Sequence, residues 1–422
     1  MSLKAISFDS LGVRAAAVGV GAAGLLVGVL GFLWAVVNTA ALGAESKEVG
    51  QQLSELSPDD PQTHFTSAVQ HEKSFDPADL STALSEYEKA AALSPYNYLI
   101  WLELGSARGR AGETPAAEAA LRRARELAPN YARVQWALGN LLLRKGSEDE
   151  AYAEMRKAIE GDPAFALPAA AIALQMSNGD PGIVQARFQG LPHAEVALAS
   201  LLAGQKKFDE AAKVWSSIKL VPGDEKLAEA AKALKLAFFS GRRFRTAATI
   251  AAQMTDTRAP VIGAVTNPGF ELPVRTEGFG EFDWRVSQTN FPQIAVTGGQ
   301  KRTGRYSLIA LFNNPEARDF RGFAQTIAVQ PGTAYELGVQ YRADVRSKAP
   351  FHWEIVSAGD SKRLALSTPL SASTDWTGLS TRFTVPPDVD GIEIRFVRGD
   401  CIAAACTASG SFWFDDISIS AK

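Results

Sequence analysis

Pro95, Pro129 and Pro163 stand 34 residues apart, and the residues between them repeat in step. Leu104-Gly105 returns as Leu138-Gly139, Gly112 as Gly146, Ala117 as Ala151, and Ala90 as Ala124 and Ala158. Tyr87 gives way to Leu121 and Met155, which keeps that position apolar. A fixed period of this length means a unit that cannot bury its own hydrophobic face and stacks on its neighbours. Within each unit, small residues sit where two helices must approach, and a glycine lies in the turn. A proline ends the second helix.

The pattern resembles the tetratricopeptide repeat, with Trp101, Leu104, Gly105, Ala117, Leu121, Ala124 and Pro129 at that family's signature positions. Arg108 replaces the usual aromatic, and Gln135 replaces the tryptophan, with Trp136 one place later. Beyond Pro163 the repeat weakens into helix pairs at Val196 to Ile218, around Gly204, and at Leu227 to Met254, around Gly241. The expectation is an α-solenoid over 63–255 with four or five helix pairs and an extended binding surface. Arg133, Trp136, Asn140 and Arg144 share one helix face, which the resemblance places on the concave groove. There they would hold a protein or peptide, such as an acidic tail. The competing reading is a solvated face with Trp136 packed on the next unit.

No charge occurs between Arg14 and Glu45, and Ala15 to Val37 is nearly all apolar. A membrane-spanning helix needs about 20 such residues. Lys4 and Arg14 precede the run, while Glu45, Lys47, Glu48, Asp59 and Asp60 follow it. The positive-inside rule then makes 1–14 a cytoplasmic tail and 15–37 a transmembrane helix, with 38–62 a polar linker. The bulk of the chain would be periplasmic, anchored at a bacterial inner membrane. A signal peptide cut at Ala41-Leu-Gly-Ala44 would export the same mass, though its apolar region is normally about 7–15 residues. Gly19-Val-Gly-Ala-Ala-Gly24 fits a dinucleotide-binding fingerprint by letter only, because no strand precedes it. Ala17, Gly21, Gly24, Gly28, Gly31 and Ala35 put small residues on one face. That face suits a membrane-embedded partner or a second copy. Small residues are also common in spanning helices for no such reason.

From about Asp256 the period changes to two. Tyr335, Leu337, Val339 and Tyr341 alternate with polar residues, as do Phe351, Trp353 and Ile355, and Ile392, Ile394 and Phe396. Alternation with one apolar face means strands packed on one side. Further strands are expected at 282–287, 305–312, 320–330, 377–385 and 411–419, making about eight antiparallel strands. Over 256–422 the fold class is an antiparallel β-sandwich of the jelly-roll kind, so the chain as a whole is multidomain.

In this segment Asn267-Pro-Gly-Phe-Glu271, Trp284, Thr303-Gly-Arg-Tyr-Ser-Leu308, Gln325, Pro331-Gly-Thr-Ala-Tyr-Glu-Leu337, Asp375-Trp376, Phe383-Thr-Val-Pro386 and Phe412-Trp-Phe-Asp-Asp-Ile-Ser-Ile419 follow in order. They resemble the galactose-binding-like jelly roll of many carbohydrate-binding modules. The resemblance implies a glycan ligand and a structural calcium ion held by Glu271 with Asp415 or Asp416. Those carboxylates would otherwise only hydrogen-bond the strand ends. If their strands are neighbours, Gln340, Arg342, His352, Glu354, Glu393 and Arg395 make one polar glycan face, with Trp413 offering a ring for stacking. Trp284 and Trp376 are further candidate rings. The other reading is core packing for most aromatics and cross-strand ion pairs for the charges.

Cys401 and Cys406 bracket four residues before the last strand, and outside the cytoplasm they read as a local disulfide, with a reduced pair as runner-up. Lys plus Arg is 43 and Asp plus Glu is 46, so the formal charge of −3 excludes a strongly basic nucleic-acid binder. Four histidines and two cysteines leave little for a metal enzyme, and no nucleophile or phosphate-binding motif occurs. The expected function is therefore non-catalytic: a membrane-anchored scaffold serving cell-surface polysaccharide assembly or export. A structural envelope factor whose sandwich binds protein is the alternative, and a glycan-processing enzyme comes third.

Overall fold

The computed structural model describes residues 10–74, 76–254, 259–313, 320–400 and 407–422. It divides into two compact units, Met1–Ala169 and Ala170–Lys422. The division falls inside the helical stretch, because the later helices pack with the sandwich. Cys401 and Cys406 lie outside the described residues.

The first unit opens on α1 (Leu11–Leu42), the one described helix long and apolar enough to cross a membrane or to act as a signal sequence. Its mean hydropathy reaches 2.3. Ala17, Gly21, Gly24, Gly28, Gly31 and Ala35 lie along it, and nothing described comes within 4 Å of a side chain built on those glycines. Residues 38–62, expected as a linker, are folded instead. They hold the end of α1, all of α2 (Lys47–Leu56) and the start of α3 (Pro61–Glu72). Polar composition hid this, because α2 packs through small residues. A Cβ on Gly50 would touch the Ser67 Cα at 3.0 Å. Thr66 Oγ1 donates to the Ala41 carbonyl at 3.1 Å and Gln70 Nε2 to the Ala44 carbonyl at 2.7 Å. These bonds tie the last turn of α1 and the residue two past its end to α3. Asn38 adds a bond to Asp60 at 3.2 Å.

Next come α4 (Pro77–Leu93), α5 (Tyr98–Arg110), α6 (Thr114–Leu127), α7 (Ala132–Lys145), α8 (Glu148–Gly161) and, after a turn of 3-10 helix at Pro163–Phe165, α9 (Ala166–Met176). Helices α3 and α4, α5 and α6, and α7 and α8 pack as pairs. Tyr98, Ala132 and Ala166 open successive units, each 34 residues after the last, as the repeat predicts. Pro95, Pro129 and Pro163 each fall two residues past a helix end, at Leu93, Leu127 and Gly161. The substitution of Gln135 for tryptophan keeps a bond. Trp101 Nε1 donates to the Pro95 carbonyl at 2.9 Å, and Gln135 Nε2 donates to the Pro129 carbonyl at 2.5 Å.

Glycine in the repeat is a packing requirement. A Cβ on Gly105 would stand 2.6 Å from Leu121 Cγ, whereas on Gly139 it would meet Met155 Cγ at 3.0 Å. Leucine branches at that atom and cannot yield, while methionine is flexible there. Gly105→Ala is expected to cost about 1–3 kcal/mol through overpacking. Gly139→Ala should stay within about 1 kcal/mol of neutral, since alanine gains helix propensity. Urea unfolding followed by helical circular dichroism measures both, and equal losses would contradict the packing argument.

The second unit contains α10 (Pro181–Arg187), α11 (Pro192–Gly204), α12 (Phe208–Trp215), α13 (Glu225–Ser240) and α14 (Phe244–Met254). Helices α11 and α12, and α13 and α14, form the two expected pairs. The strands are β1 (Arg285–Val286), β2 (Gln293–Thr297), β3 (Ser307–Phe312), β4 (Phe323–Ala328), β5 (Ala334–Ala343), β6 (Arg346–Ser347), β7 (Phe351–Ser357), β8 (Arg363–Leu366), β9 (Ser373–Thr384), β10 (Gly391–Arg398) and β11 (Ala408–Ala421). One sheet runs β1-β4-β10-β7-β8 and the other β2-β3-β11-β5-β9, with β6 paired to β11 and neighbours antiparallel. Inward residues of both sheets share one core, in which Trp353, Phe323, Phe396, Phe412 and Phe414 are fully buried. Within this unit α14 seats on the sandwich. Phe244 lies against Gly391, where a Cβ would come within 2.3 Å of its ring. The Asp390 carboxylate accepts from the Phe244 and Arg245 amides at 3.2 and 3.3 Å, capping the helix from the sheet.

Candidate functional site

Strand alternation decides which side chains meet. On β7, Phe351, Trp353 and Ile355 enter the core, so His352 and Glu354 face outwards. On β10, Ile392, Ile394 and Phe396 enter it, so Glu393 and Arg395 face outwards. These strands are neighbours, with Arg395 directly opposite Glu354. The four residues share one face, together with Arg285 of β1 and Arg363 of β8.

Gln340 and Arg342 do not join them. Their strand, β5, belongs to the other sheet, so the single polar face expected over three strands is two faces on opposite sides of the sandwich. The alternation places residues in or out but is silent on which sheet a strand enters. On that second face Arg342 sits over the Trp413 ring at 5.9 Å and donates to Gln300 Oε1 at 2.9 Å. Trp284 is a core residue, packed on Phe270 and Phe323, and presents no stacking surface. Trp376 is partly exposed on β9.

The first face forms a groove of about 720 Å³. Glu354 lies at its floor, 4% exposed. One carboxylate oxygen accepts from Arg363 Nε at 2.5 Å and the other from Arg395 Nε at 2.6 Å. Burial pushes the Glu354 carboxyl up, and the two arginine hydrogen bonds outweigh it, so its pKa is lowered overall. Glu393 accepts from Arg285 Nη2, which also bonds Thr326 Oγ1. His352 Nδ1 pairs with the Ser367 carbonyl at 2.9 Å. Arg285 was legible as the polar residue between inward Trp284 and Val286. Arg363 was not, because β8 is only four residues long and follows a turn.

The carboxylates expected at a calcium site act as loop clamps here. Glu271 Oε1 accepts from the Arg305 and Tyr306 amides at 2.9 and 3.3 Å. Asp415 Oδ2 accepts from the Arg302 and Thr303 amides at 2.8 and 3.1 Å, and Oδ1 from the Asp416 amide at 2.8 Å. Asp416 takes the Arg302 guanidinium at 2.7 Å and the Thr303 hydroxyl at 2.7 Å. These oxygens face hydrogen donors that a cation would have to displace. Among the described residues no three carboxylate, histidine or cysteine groups are gathered for a metal. The set does not fit a calcium ion as it stands. Gly304, at φ +61°, is required where it is, since a Cβ there would overlap Glu271 Oε1.

Asp415 differs from Glu354 in sign. Burial raises its pKa above the ordinary 3.8, against the pull of the three amides. Its contribution is therefore fully present below pH 3.8 and is lost as pH rises through the folded value, so ionised Asp415 is a cost at neutral pH. Asp415→Asn should flatten that part of the stability curve. Unfolding midpoints across mildly acidic pH check it, and an unchanged slope would contradict the reading.

In the first unit, Arg133, Trp136, Asn140 and Arg144 are all on α7. Trp136 stacks on Phe165, with ring centroids 5.1 Å apart, so it packs on the following unit. Arg133 pairs with Glu103 of α5 at 3.2 Å, and Asn140 bonds the Trp136 carbonyl. The stack on Phe165 already covers one face of the tryptophan. The four histidines are all tied to carboxylates or carbonyls: His64 to Glu86, His71 to Asp79, His193 to Asp224 and His352 to Ser367.

Residues 264–402 match the profile of a family described as "Carbohydrate binding domain" (CBM_4_9). No curated protein matches the chain. Among solved structures, the chain is similar to one titled "CBM4 structure and function", at 18% identity and TM-score 0.29, covering 37% of this chain and 99% of that one. It is similar to MamA at 19% identity and TM-score 0.29, covering 44% of this chain and 87% of that one. A third is an endo-1,4-β-D-xylanase of Clostridium thermocellum, its CBM22-1 and GH10 modules complexed with xylohexaose. There the identity is 13% and the TM-score 0.28, covering 38% of this chain and 29% of that one. At these values none of the three bears on function.

Proposed function

We propose that this protein is a membrane-anchored, non-catalytic scaffold whose sandwich binds a glycan in the groove on the β1-β4-β10-β7-β8 face. The single observation behind the reading is that groove, with its polar floor, inside a segment that matches a carbohydrate-binding family. Sugar hydroxyls need fixed donors and acceptors, and Glu354, Arg395, Glu393 and Arg285 are held by one another. The same pairing argues against catalysis. A glycosidase acid needs a raised pKa, and that of Glu354 is lowered.

In this reading α1 tethers the chain to an inner membrane, with the bulk on the periplasmic side. The helix pairs offer Arg133, Asn140 and Arg144 to a protein partner. Tethering raises the effective concentration of glycan and partner near each other without any chemistry. Assembly or export of surface polysaccharide is the process that such an arrangement serves. Calcium is no part of it.

Glycan-array binding of the full chain in detergent tests the reading. Binding that Arg395→Ala removes, while Arg342→Ala on the opposite face leaves it intact, is the expected result. Loss on Arg342→Ala or Trp413→Ala alone would move the site to the other sheet. No binding to any glycan by folded protein would favour the envelope factor whose sandwich takes protein.

A further inference from the structure

Resting on that reading, we infer that the groove selects acidic saccharides, with arginine side chains pairing to the carboxylates of uronic acid residues. The groove is lined by Arg285, Arg363, Arg395 and Arg398 against Glu354, Glu393 and Asp400 among the described residues. The arrangement matters more than the count. Glu354 lies beneath the surface, while Arg363 keeps 62% of its side chain exposed and Arg395 33%.

Both of those arginines bond Glu354 through Nε. A guanidinium held at Nε still presents its two Nη groups, the edge that takes a carboxylate as a fork. Glu354 therefore orients the Arg363 fork without consuming it, and that of Arg395 with one Nη 4.0 Å from Glu393. Arg285 is held differently, through Nη2 to Glu393 and Thr326, so it adds positive charge to the groove rather than a free fork. Three cations on alternate strands, β1, β10 and β8, stand over one sheet face, each already held by a carboxylate.

What the groove does not offer supports the same conclusion. A neutral pyranose is usually gripped by stacking on an open aromatic ring. Of the aromatic residues lining this groove, Phe323 and Phe396 are core residues, 2% and 1% exposed. Phe320 is partly exposed, and the Arg398 guanidinium lies over its ring at 5.4 Å. Trp413 is on the other sheet.

The test uses the full-length protein in detergent and calorimetric titration with hexasaccharides of matched length: oligogalacturonate against cellohexaose and xylohexaose. The uronate should bind at least tenfold tighter, and added salt should weaken it. Arg363→Gln, a change at an exposed side chain, should lower its affinity about tenfold or more and cost less stability than Glu354→Ala, the sandwich remaining folded. Equal or tighter binding of a neutral hexasaccharide would overturn the acidic preference and leave glycan binding standing. Uronate binding that Arg363→Gln and Arg395→Gln both leave unchanged would overturn the assignment to these arginines. Failure of all three sugars, with folding intact, would remove the glycan reading itself.

Discussion

Trp353→Ala should destabilise the sandwich by about 3–5 kcal/mol, the cost of deleting a fully buried large aromatic. Trp353 is 0% exposed and sits between both sheets. Its ring lies 5.4 Å from Phe323, 5.5 Å from Phe414, 6.1 Å from Phe396 and 6.2 Å from Trp284. Those neighbours come from four different segments, so collapse around the cavity would have to move several strands at once. The indole Nε1 has no hydrogen-bond partner, so the ring contributes by packing alone. Trp353→Phe should cost less than the alanine variant, since it leaves the smaller cavity. Urea unfolding followed by the β-sheet dichroism signal compares the two variants. A loss under about 1 kcal/mol for the alanine variant would mean that the core is not organised around this residue.

Glu354→Ala, one residue along on the same strand, should cost about 1–3 kcal/mol for a different reason. Removing the carboxylate leaves two guanidiniums facing each other without their shared acceptor. The figure is held below that of a wholly buried ion pair because Arg363 and Arg395 both reach solvent. The pH dependence gives a second check. The Glu354 pKa is lowered from 4.5, so its contribution is fully present above pH 4.5 and is lost as pH falls through the lower folded value. The gap between wild type and Glu354→Gln should therefore narrow below pH 4.5. A constant gap would show that ionisation of Glu354 plays no part. Glu354→Gln should also loosen Arg395 in the groove, so glycan affinity is expected to fall even where the fold holds.

Much of this architecture was readable in the sequence because it rests on period. The 34-residue spacing located the helix starts in the first unit, and alternation located the long strands. Three short elements escaped, although the two-residue β1 lies within the strand expected at 282–287. β2, β6 and β8 were not foreseen, since two to five residues carry too little pattern to separate a strand from a loop. The site was half legible for a related reason. Alternation correctly turned His352, Glu354, Glu393 and Arg395 outwards, yet sheet membership depends on non-local pairing. That pairing sent Gln340 and Arg342 to the far side. The motif residues of the carbohydrate-binding resemblance proved to be mechanical. The Asn267 side chain bonds both the amide and the carbonyl of Leu272, and Gln325 clasps Thr266 from both sides. Such residues mark a fold well and a ligand poorly, which is why the groove arginines, outside the motif, carry the specificity argument.

The bonds from Thr66 to Ala41 and from Gln70 to Ala44 fasten the end of α1 and the turn after it to α3. Under the proposed anchoring, that tie would keep α2 and α3 beside the end of the span rather than at the end of a free linker.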